Sequence, residues 1–415
     1  MQPLEQTIDW YKKHISEGFL NLVSFLGFDA VEIEAQGCEV KTSDGRVLLD
    51  FLGSFGALNF GHRHPRIVGA VQEGLGRMGA SSKVLLNGDQ AALAARLAAC
   101  APPGLSYSFF SNSGTEAVEA GIKFARAKKG RPGILFTENA YHGKSMGALS
   151  AAGREKFRAP FEPLLSGFRP LPFGDANALE DALGGGDLPA AFLVEPIQGE
   201  AGIRVPPEGY LRDVRRMTKE AGVLLIVDEV QTGLGRTGRC FAVDWEDVSP
   251  DILCIAKSLG GGLIPMGATM TTEDVWSIFD ENPLLHSSTL GGNHLACVAA
   301  LAALEVLEEE SLAEKAWARG CQLLEGLRRL DSPLVKEIRG KGLMVGVEFA
   351  EEDIAGLVIT ALAGKGIMAA YTLNNPEVIR LEPPLTVSEE QVHRFLKVWE
   401  EALNGTSEIL TGLGM

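Results

Sequence analysis

The sequence predicts an α/β fold: a large domain with a mostly parallel sheet flanked by helices, and beside it a smaller α+β domain. Two observations predict the sheet. From about Ser106 onward, short apolar runs alternate with segments of helical period, which is how successive βαβ units read. Two of those runs, Val223-Leu-Leu-Ile-Val227 and Ile252-Leu-Cys-Ile-Ala256, are continuous rather than alternating, so both faces of their strands are covered. The third observation is length. A chain of 415 residues exceeds what one core usually organises, and the segments from about residue 305 read as the second unit.

In chain order, residues 1–30 read as a helical lead-in. Val31-Glu-Ile-Glu and Glu39-Val-Lys-Thr then alternate like strands around a turn at Asp44-Gly45. Residues 51–65, FLGSFGALNFGHRHP, are too rich in glycine and aromatic residues for a regular element, and such a loop usually lies near a site. Helical spacing recurs over 65–79 and 88–100. The apolar runs that follow are Tyr107-Ser-Phe-Phe, Ile134-Leu-Phe, Ala191-Phe-Leu-Val, the two above and Met266-Gly-Ala-Thr-Met, with helices over 115–129 and 209–221. Helices are expected after Gly292 through Glu310 and over 312–330. Strands at Val335-Lys-Glu-Ile, Leu343-Met-Val-Gly-Val-Glu-Phe and Val378-Ile-Arg-Leu are joined by helices over 354–365 and 388–403. Residues 404–415 are glycine-rich and read as loose. The expected division places 46–304 in the large domain, with 1–45 and 305–415 forming the small one.

The formal charge of −16, with no lysine-arginine cluster to override it, argues against nucleic acid or an acidic membrane as partner. Six cysteines, at 38, 100, 240, 254, 297 and 321, contain no CxxC pair and so give neither a metal site nor a disulfide framework. A reduced, cytoplasmic setting fits them. Residues 1–13 carry acids and lack an apolar core, unlike a secretory signal. Residues 282–304 contain no Asp, Glu, Lys or Arg and are long enough to span a bilayer, but His286, Ser287, Ser288, Thr289, Asn293 and His294 make the first half too polar. A loop followed by a buried helix is expected there.

The chemistry lies at the ends of the two continuous runs. One stops at Asp228-Glu229 and the other at Lys257, and ligands of open α/β sheets sit at the carboxyl ends of strands. A lysine and a carboxylate side by side suit pyridoxal phosphate, which needs an amine for a Schiff base and an acid facing its pyridine nitrogen. An ion pair at about 4 Å and an effective dielectric near 20 is worth about 4 kcal/mol, or about three pKa units. That keeps the ring nitrogen protonated.

Around this pair stand other candidates. Ser111-Asn-Ser-Gly-Thr115-Glu precedes a helix whose free N–H groups and dipole suit a phosphate, although serine before a helix is commonly just an N-cap. Tyr141-His142-Gly143 could lay a ring on a flat cofactor, or simply pack a loop. Glu195-Pro-Ile-Gln-Gly-Glu200 ends another strand with carboxylates. Arg380, among apolar residues with Glu382 after it, could hold a substrate carboxylate bidentately or serve a structural pair. Gly233-Leu-Gly-Arg-Thr-Gly238 matches a dinucleotide fingerprint, but no helical period follows, so that reading is set aside.

Taken together, these residues resemble the class III, ornithine-type aminotransferases of pyridoxal-phosphate fold type I. The resemblance covers nearly the whole chain and rests on SNSGTEA at 111–117, YHG at 141–143, EPIQGE at 195–200, DEVQTGLGRTG at 228–238, AKSLGGG at 256–262 and TLGGN at 289–293. It implies that Ser113, Gly114 and Thr115 bind the phosphate, Tyr141 stacks on the ring with His142 beside it, and Asp228 pairs with the pyridine nitrogen. Gln231 would reach the phenolic oxygen, and Lys257 would be both Schiff-base lysine and proton shuttle. Thr289 would reach the phosphate of the neighbouring subunit, which places the site at a homodimer interface. Glu200 would partner Arg380 whenever no substrate carboxylate does. Within the family, residues 51–65, 107–116, 142–151, 157–174 and 372–386 are similar to putrescine aminotransferases. That implies a diamine such as putrescine, or cadaverine, as amino donor and 2-oxoglutarate as acceptor, giving an aminoaldehyde and glutamate in two stages. Ornithine, acetylornithine and 4-aminobutyrate stay open as donors, and a racemase or aminomutase on the same fold is the rival of a different kind. Leu290 and His294 stand where the family usually has Phe and Pro.

Overall fold

The computed structural model describes residues 4–414. Its centre is a seven-stranded sheet. From one edge to the other the strands are Leu105–Ser111, Gly267–Thr272, Ile252–Ile255, Leu224–Asp228, Ala191–Val194, Ile134–Thr137 and Phe168–Leu171. The last five run parallel, and Gly267–Thr272 runs antiparallel to both its neighbours. The continuous apolar runs are the middle strands, and every residue of Leu224–Asp228 and Ile252–Ile255 is buried. At about 1.5–3 kcal/mol for each large apolar side chain removed from water, covering both faces outweighs what alternation would have gained.

Two of the expected helices, over 65–79 and 88–100, are present as Pro65–Arg77, with proline in its first turn, and Gly88–Cys100, capped by Asn87. Gly114–Lys129 starts at the Ser113 cap and stops at Gly130, whose φ of 62° is the left-handed conformation glycine adopts without strain. His294–Glu309 is buried along most of its length, as expected for the second half of the uncharged stretch. Among the described residues, no helix is long and apolar enough to cross a membrane. The glycines of residues 233–238 lie in a turn-rich loop that opens onto the short 3-10 turn Ala242–Trp245 rather than an α-helix.

Two four-stranded sheets flank this unit. One joins Glu32–Gln36, Glu39–Thr42 and Val47–Asp50 to Ile367–Met368, and so draws on both ends of the chain. The other orders Val335–Lys341, Met344–Phe349, Val378–Leu381 and Ala370–Tyr371.

Two expectations are corrected, and one strand appears that no apolar run above marked. The turn at Asp44-Gly45 joins Glu39–Thr42 to Val47–Asp50, while Glu32–Gln36 pairs across Gly37. Phe168–Leu171 is a strand despite Pro170, because it lies on the sheet's edge where a missing N–H leaves no ladder bond unmade. The C-terminal segment is not loose: Glu389–Gly412 is one helix, with Leu403, Thr406 and Leu410 continuing its buried stripe. Gly405 costs the helix about 1 kcal/mol relative to alanine, less than the roughly 2 kcal/mol that burying Leu410 returns. Residues 1–3 of the helical lead-in and Met415 lie outside the described residues.

Candidate active site

Asp228 is the last residue of its strand, and its register partner on the neighbouring parallel strand is Cys254, three residues before Lys257. Asp228 therefore ends one strand and Lys257 opens the turn that follows its neighbour, so both lie at the carboxyl end of adjacent central strands. Asp228 Oδ2 lies 2.7 Å from His142 Nδ1, and its Oδ1 accepts the Val230 N–H at 3.0 Å. Burial opposes a charge on His142, but the hydrogen bond and charge of Asp228, with the charge of Glu195, raise its pKa above the ordinary value. His142 Nε2 is buried without a partner.

Lys257 holds a φ of 44°, a left-handed conformation that a lysine adopts only at a cost. Among the described residues nothing hydrogen-bonds or ion-pairs with its amine. Burial lowers its pKa against the pull of Glu382, Glu200 and Asp228, with Arg380 adding to the lowering. A half-buried amine of lowered basicity is the form that attacks a carbonyl.

Ser113 and Thr115 stand at the N-terminus of Gly114–Lys129. Ser113 Oγ caps the helix by accepting the Glu116 N–H at 3.3 Å, and Thr115 Oγ1 lies 2.7 Å from Ser145 Oγ. Ser145 in turn donates to Glu119 Oε1 at 2.6 Å. A Cβ on Gly114 would lie 2.8 Å from Val230 Cγ1, and one on Gly143 would lie 2.2 Å from Thr115 Oγ1, so backbone fills this corner where side chains cannot. The Tyr141 N–H donates to Glu195 Oε1 at 3.0 Å.

Arg380 is fully buried on the strand Val378–Leu381. Its Nη2 contacts Glu200 Oε2, and its Nη1 lies 3.5 Å from Glu382 Oε2. Gln231 Nε2 donates to both Glu382 oxygens at 2.8 Å. Burial works against the Glu200 charge, yet Arg380 and the Leu373 N–H hold its carboxyl below the usual carboxylate range. The charges of Glu382, Glu200 and Asp228 favour the protonated Lys257 amine, and that of Arg380 opposes it. Thr289 is exposed, and among the described residues nothing bonds it to this group.

These residues fit pyridoxal phosphate: an unpartnered amine, a strand-end carboxylate backed by an imidazole, and a helix N-terminus carrying hydroxyl groups. Comparison with known proteins agrees. The profile of the family described as Aminotransferase class-III matches residues 28–403. The chain belongs to the class III aminotransferases. As a member it is a pyridoxal-phosphate-dependent transaminase of fold type I. It is similar to the solved ornithine aminotransferase of Toxoplasma gondii ME49, at 33% identity over 98% of this chain and 96% of that one, with a TM-score of 0.91. A second structure of the Toxoplasma gondii enzyme has partial occupancy of PLP at its active site. The acetylornithine aminotransferase of Elizabethkingia anophelis is 33% identical over 98% of this chain and 100% of its own, with a TM-score of 0.84. An (S)-enantioselective omega-transaminase from Thermomicrobium roseum is 30% identical over 98% and 99% of the two chains, with a TM-score of 0.90.

Some residues that the structure joins to this candidate site carry little mark in the sequence. Glu382 had been seen only as a neighbour of Arg380, yet it grips both Arg380 and Gln231. Its signal was a carboxylate set between apolar residues and prolines, which needs a buried partner. Glu119, which gathers Ser145 and the N–H groups of Gly147 and Ala148, gave no signal, because an acid within a helix normally faces water. Arg236, fully buried in the glycine loop, donates to Asn59 Oδ1, Leu343 O and Pro383 O and so ties that loop to residue 383 beside Glu382.

Proposed function

We propose that this aminotransferase moves the terminal amino group of a diamine such as putrescine or cadaverine to 2-oxoglutarate, giving an aminoaldehyde and glutamate. Lys257 is the residue we assign to carry the coenzyme, with Asp228 facing its ring nitrogen, backed by His142. Ser113, Gly114 and Thr115 would take the phosphate, Tyr141 the ring face and Gln231 the phenolic oxygen. The bound coenzyme supplies an aldehyde that takes up an amine and a protonated ring that draws electrons from the adjoining carbon. Lys257 Nζ would also serve as the base that takes the proton from the substrate's amine-bearing carbon, holds it, and returns it on the coenzyme side of the transferred nitrogen. Thr289 would act across a homodimer interface, completing the phosphate site of the partner subunit.

The observation that carries the donor reading is the Arg380–Glu200 pair. A diamine has no carboxylate, so Arg380 can stay neutralised by Glu200 while the amine reacts. A dicarboxylate acceptor would then draw Arg380 away. Leaving a buried charge without its partner costs roughly 3–5 kcal/mol, so an internal counter-ion is required of a site that alternates between such substrates. The likeness of residues 51–65 and 372–386 to putrescine aminotransferases supports a diamine over an amino acid. Ornithine and acetylornithine, which the solved relatives' names carry, are the second reading, favoured by 33% identity.

A panel of putrescine, cadaverine, ornithine, acetylornithine and 4-aminobutyrate with 2-oxoglutarate, followed by glutamate formation, decides between them. The expected result is a kcat/KM for putrescine at least about tenfold above that for ornithine. Ornithine equal or better would replace the diamine reading. Loss of chirality or an amino-group shift without glutamate would indicate a racemase or aminomutase.

A further inference from the structure

The turn between Ala370–Tyr371 and Val378–Leu381 has its own hold on the Glu200–Arg380 pair. The second of these strands carries Arg380. The turn places the Leu373 N–H 2.8 Å from Glu200 Oε2, the same oxygen that Arg380 Nη2 contacts, and the Asn374 N–H 2.9 Å from the Glu200 carbonyl oxygen. The turn is itself fastened from outside. Asn374 Nδ2 donates to the carbonyls of Asn139 at 2.8 Å and Ala140 at 3.5 Å, immediately before Tyr141. Arg154 Nη1 donates to the Leu373 carbonyl, and Thr372 Oγ1 closes the turn on Asn375 O at 2.7 Å.

One carboxylate oxygen thus has two donors, of which only the guanidinium can leave. We propose that the Leu373 N–H is the standing partner that lets Glu200 release Arg380 to an incoming carboxylate, and that Arg154 and Asn374 are positioning residues that keep it there. They then help set the affinity for carboxylate-bearing acceptors without touching substrate. This rests on the acceptor reading given above. With the turn loosened, Glu200 would depend on Arg380 alone, Arg380 would be harder to detach, and amines that leave the pair intact would notice nothing.

The test uses the coenzyme-loaded enzyme and three half-reactions. These are loss of the long-wavelength coenzyme absorbance on adding amine alone, and its recovery with either 2-oxoglutarate or butanal, an aldehyde without a carboxylate. Asn374→Ala and Arg154→Met should each raise the KM for 2-oxoglutarate about tenfold, as expected for loosening a hydrogen bond to a charged group. The amine half and the butanal recovery should stay within about twofold of wild type, and Arg154→Lys should restore most of the loss. An unchanged KM for 2-oxoglutarate, or an equal fall in all three half-reactions, overturns the proposal. Arg380→Ala separates the two levels. If it raises the KM for 2-oxoglutarate and the turn variants do not, only the role of the turn is lost. If Arg380→Ala leaves that KM unchanged, the acceptor reading itself has failed and this proposal with it.

Discussion

At the scale of single residues, Lys257 and Asp228 stand out in the sequence because each is a charged side chain closing a run of apolar residues, where a solvated role is least natural, and the fold places both at the carboxyl ends of neighbouring strands. The φ of 44° at Lys257 was not legible, since strain belongs to the backbone and not to residue type. Among the described residues the amine has no hydrogen-bond or ion-pair partner, and Lys257→Ala should abolish the long-wavelength band that stays with the protein through gel filtration and is removed by borohydride. A variant that keeps the band would remove Lys257 from the centre of the site. Glu229, beside Asp228, is a different case. Burial pushes its carboxyl from 4.5 up to about 7, although Thr232 Oγ1 donates to it at 2.5 Å and the Val243 N–H at 2.9 Å. The folded state then holds a proton that the unfolded state has released, so this group's contribution is complete below pH 4.5 and is lost as pH rises through about 7. The loss amounts to about 3 kcal/mol. Glu229→Gln should therefore lose less in melting temperature than wild type between pH 4.5 and pH 8, read by thermal unfolding at each pH. Parallel decline of the two proteins would assign the pH dependence elsewhere.

At the scale of elements, most strands and helices with a clear period were read correctly, the helix Ala176–Leu183 with its Asp175 cap was passed over, and three other departures share one cause. Phe168–Leu171 and the extension of Glu389–Gly412 are each formed by a neighbour's contribution that local propensity opposes or barely supports, and Val47–Asp50 takes its place by pairing with Glu39–Thr42 and Ile367–Met368. Glu382 and Glu119 are the same lesson in side chains: their partners Gln231 and Ser145 come from other elements, and no window of sequence contains both. Leu410 measures how much tertiary contact adds to the last helix. It is 8% exposed, whereas Leu413, one residue past the helix, is 69% exposed. Leu410→Ala should cost about 2 kcal/mol in denaturant unfolding, and Leu413→Ala close to nothing. Equal and negligible effects would mean that the last turns fray in solution and that the glycine-rich composition had been the better guide.

At the scale of the whole molecule, one surface is out of keeping with a chain that works alone. Val84, Leu85 and Leu86 are 91%, 78% and 104% exposed, and Lys83 Nζ donates to Gly291 O, which joins this segment to the one bearing exposed Leu284, Leu285 and Leu290. Exposed apolar side chains on two segments tied together by that bond are what a face covered by a second copy would leave bare in one chain. Thr289 lies on the second segment, away from any bond to its own Lys257 group. If this face joins two copies, assembly and coenzyme binding are one property: breaking the first should weaken the second even though no residue of the Lys257 pocket has changed. Leu86→Asp should therefore halve the mass seen by light scattering and raise the apparent Kd for pyridoxal phosphate at least about tenfold. Thr289→Ala should weaken the coenzyme while leaving the mass as it was. A wild-type chain that is monomeric and fully active at assay concentration would break the link, and Thr289 would then have no part in holding the phosphate.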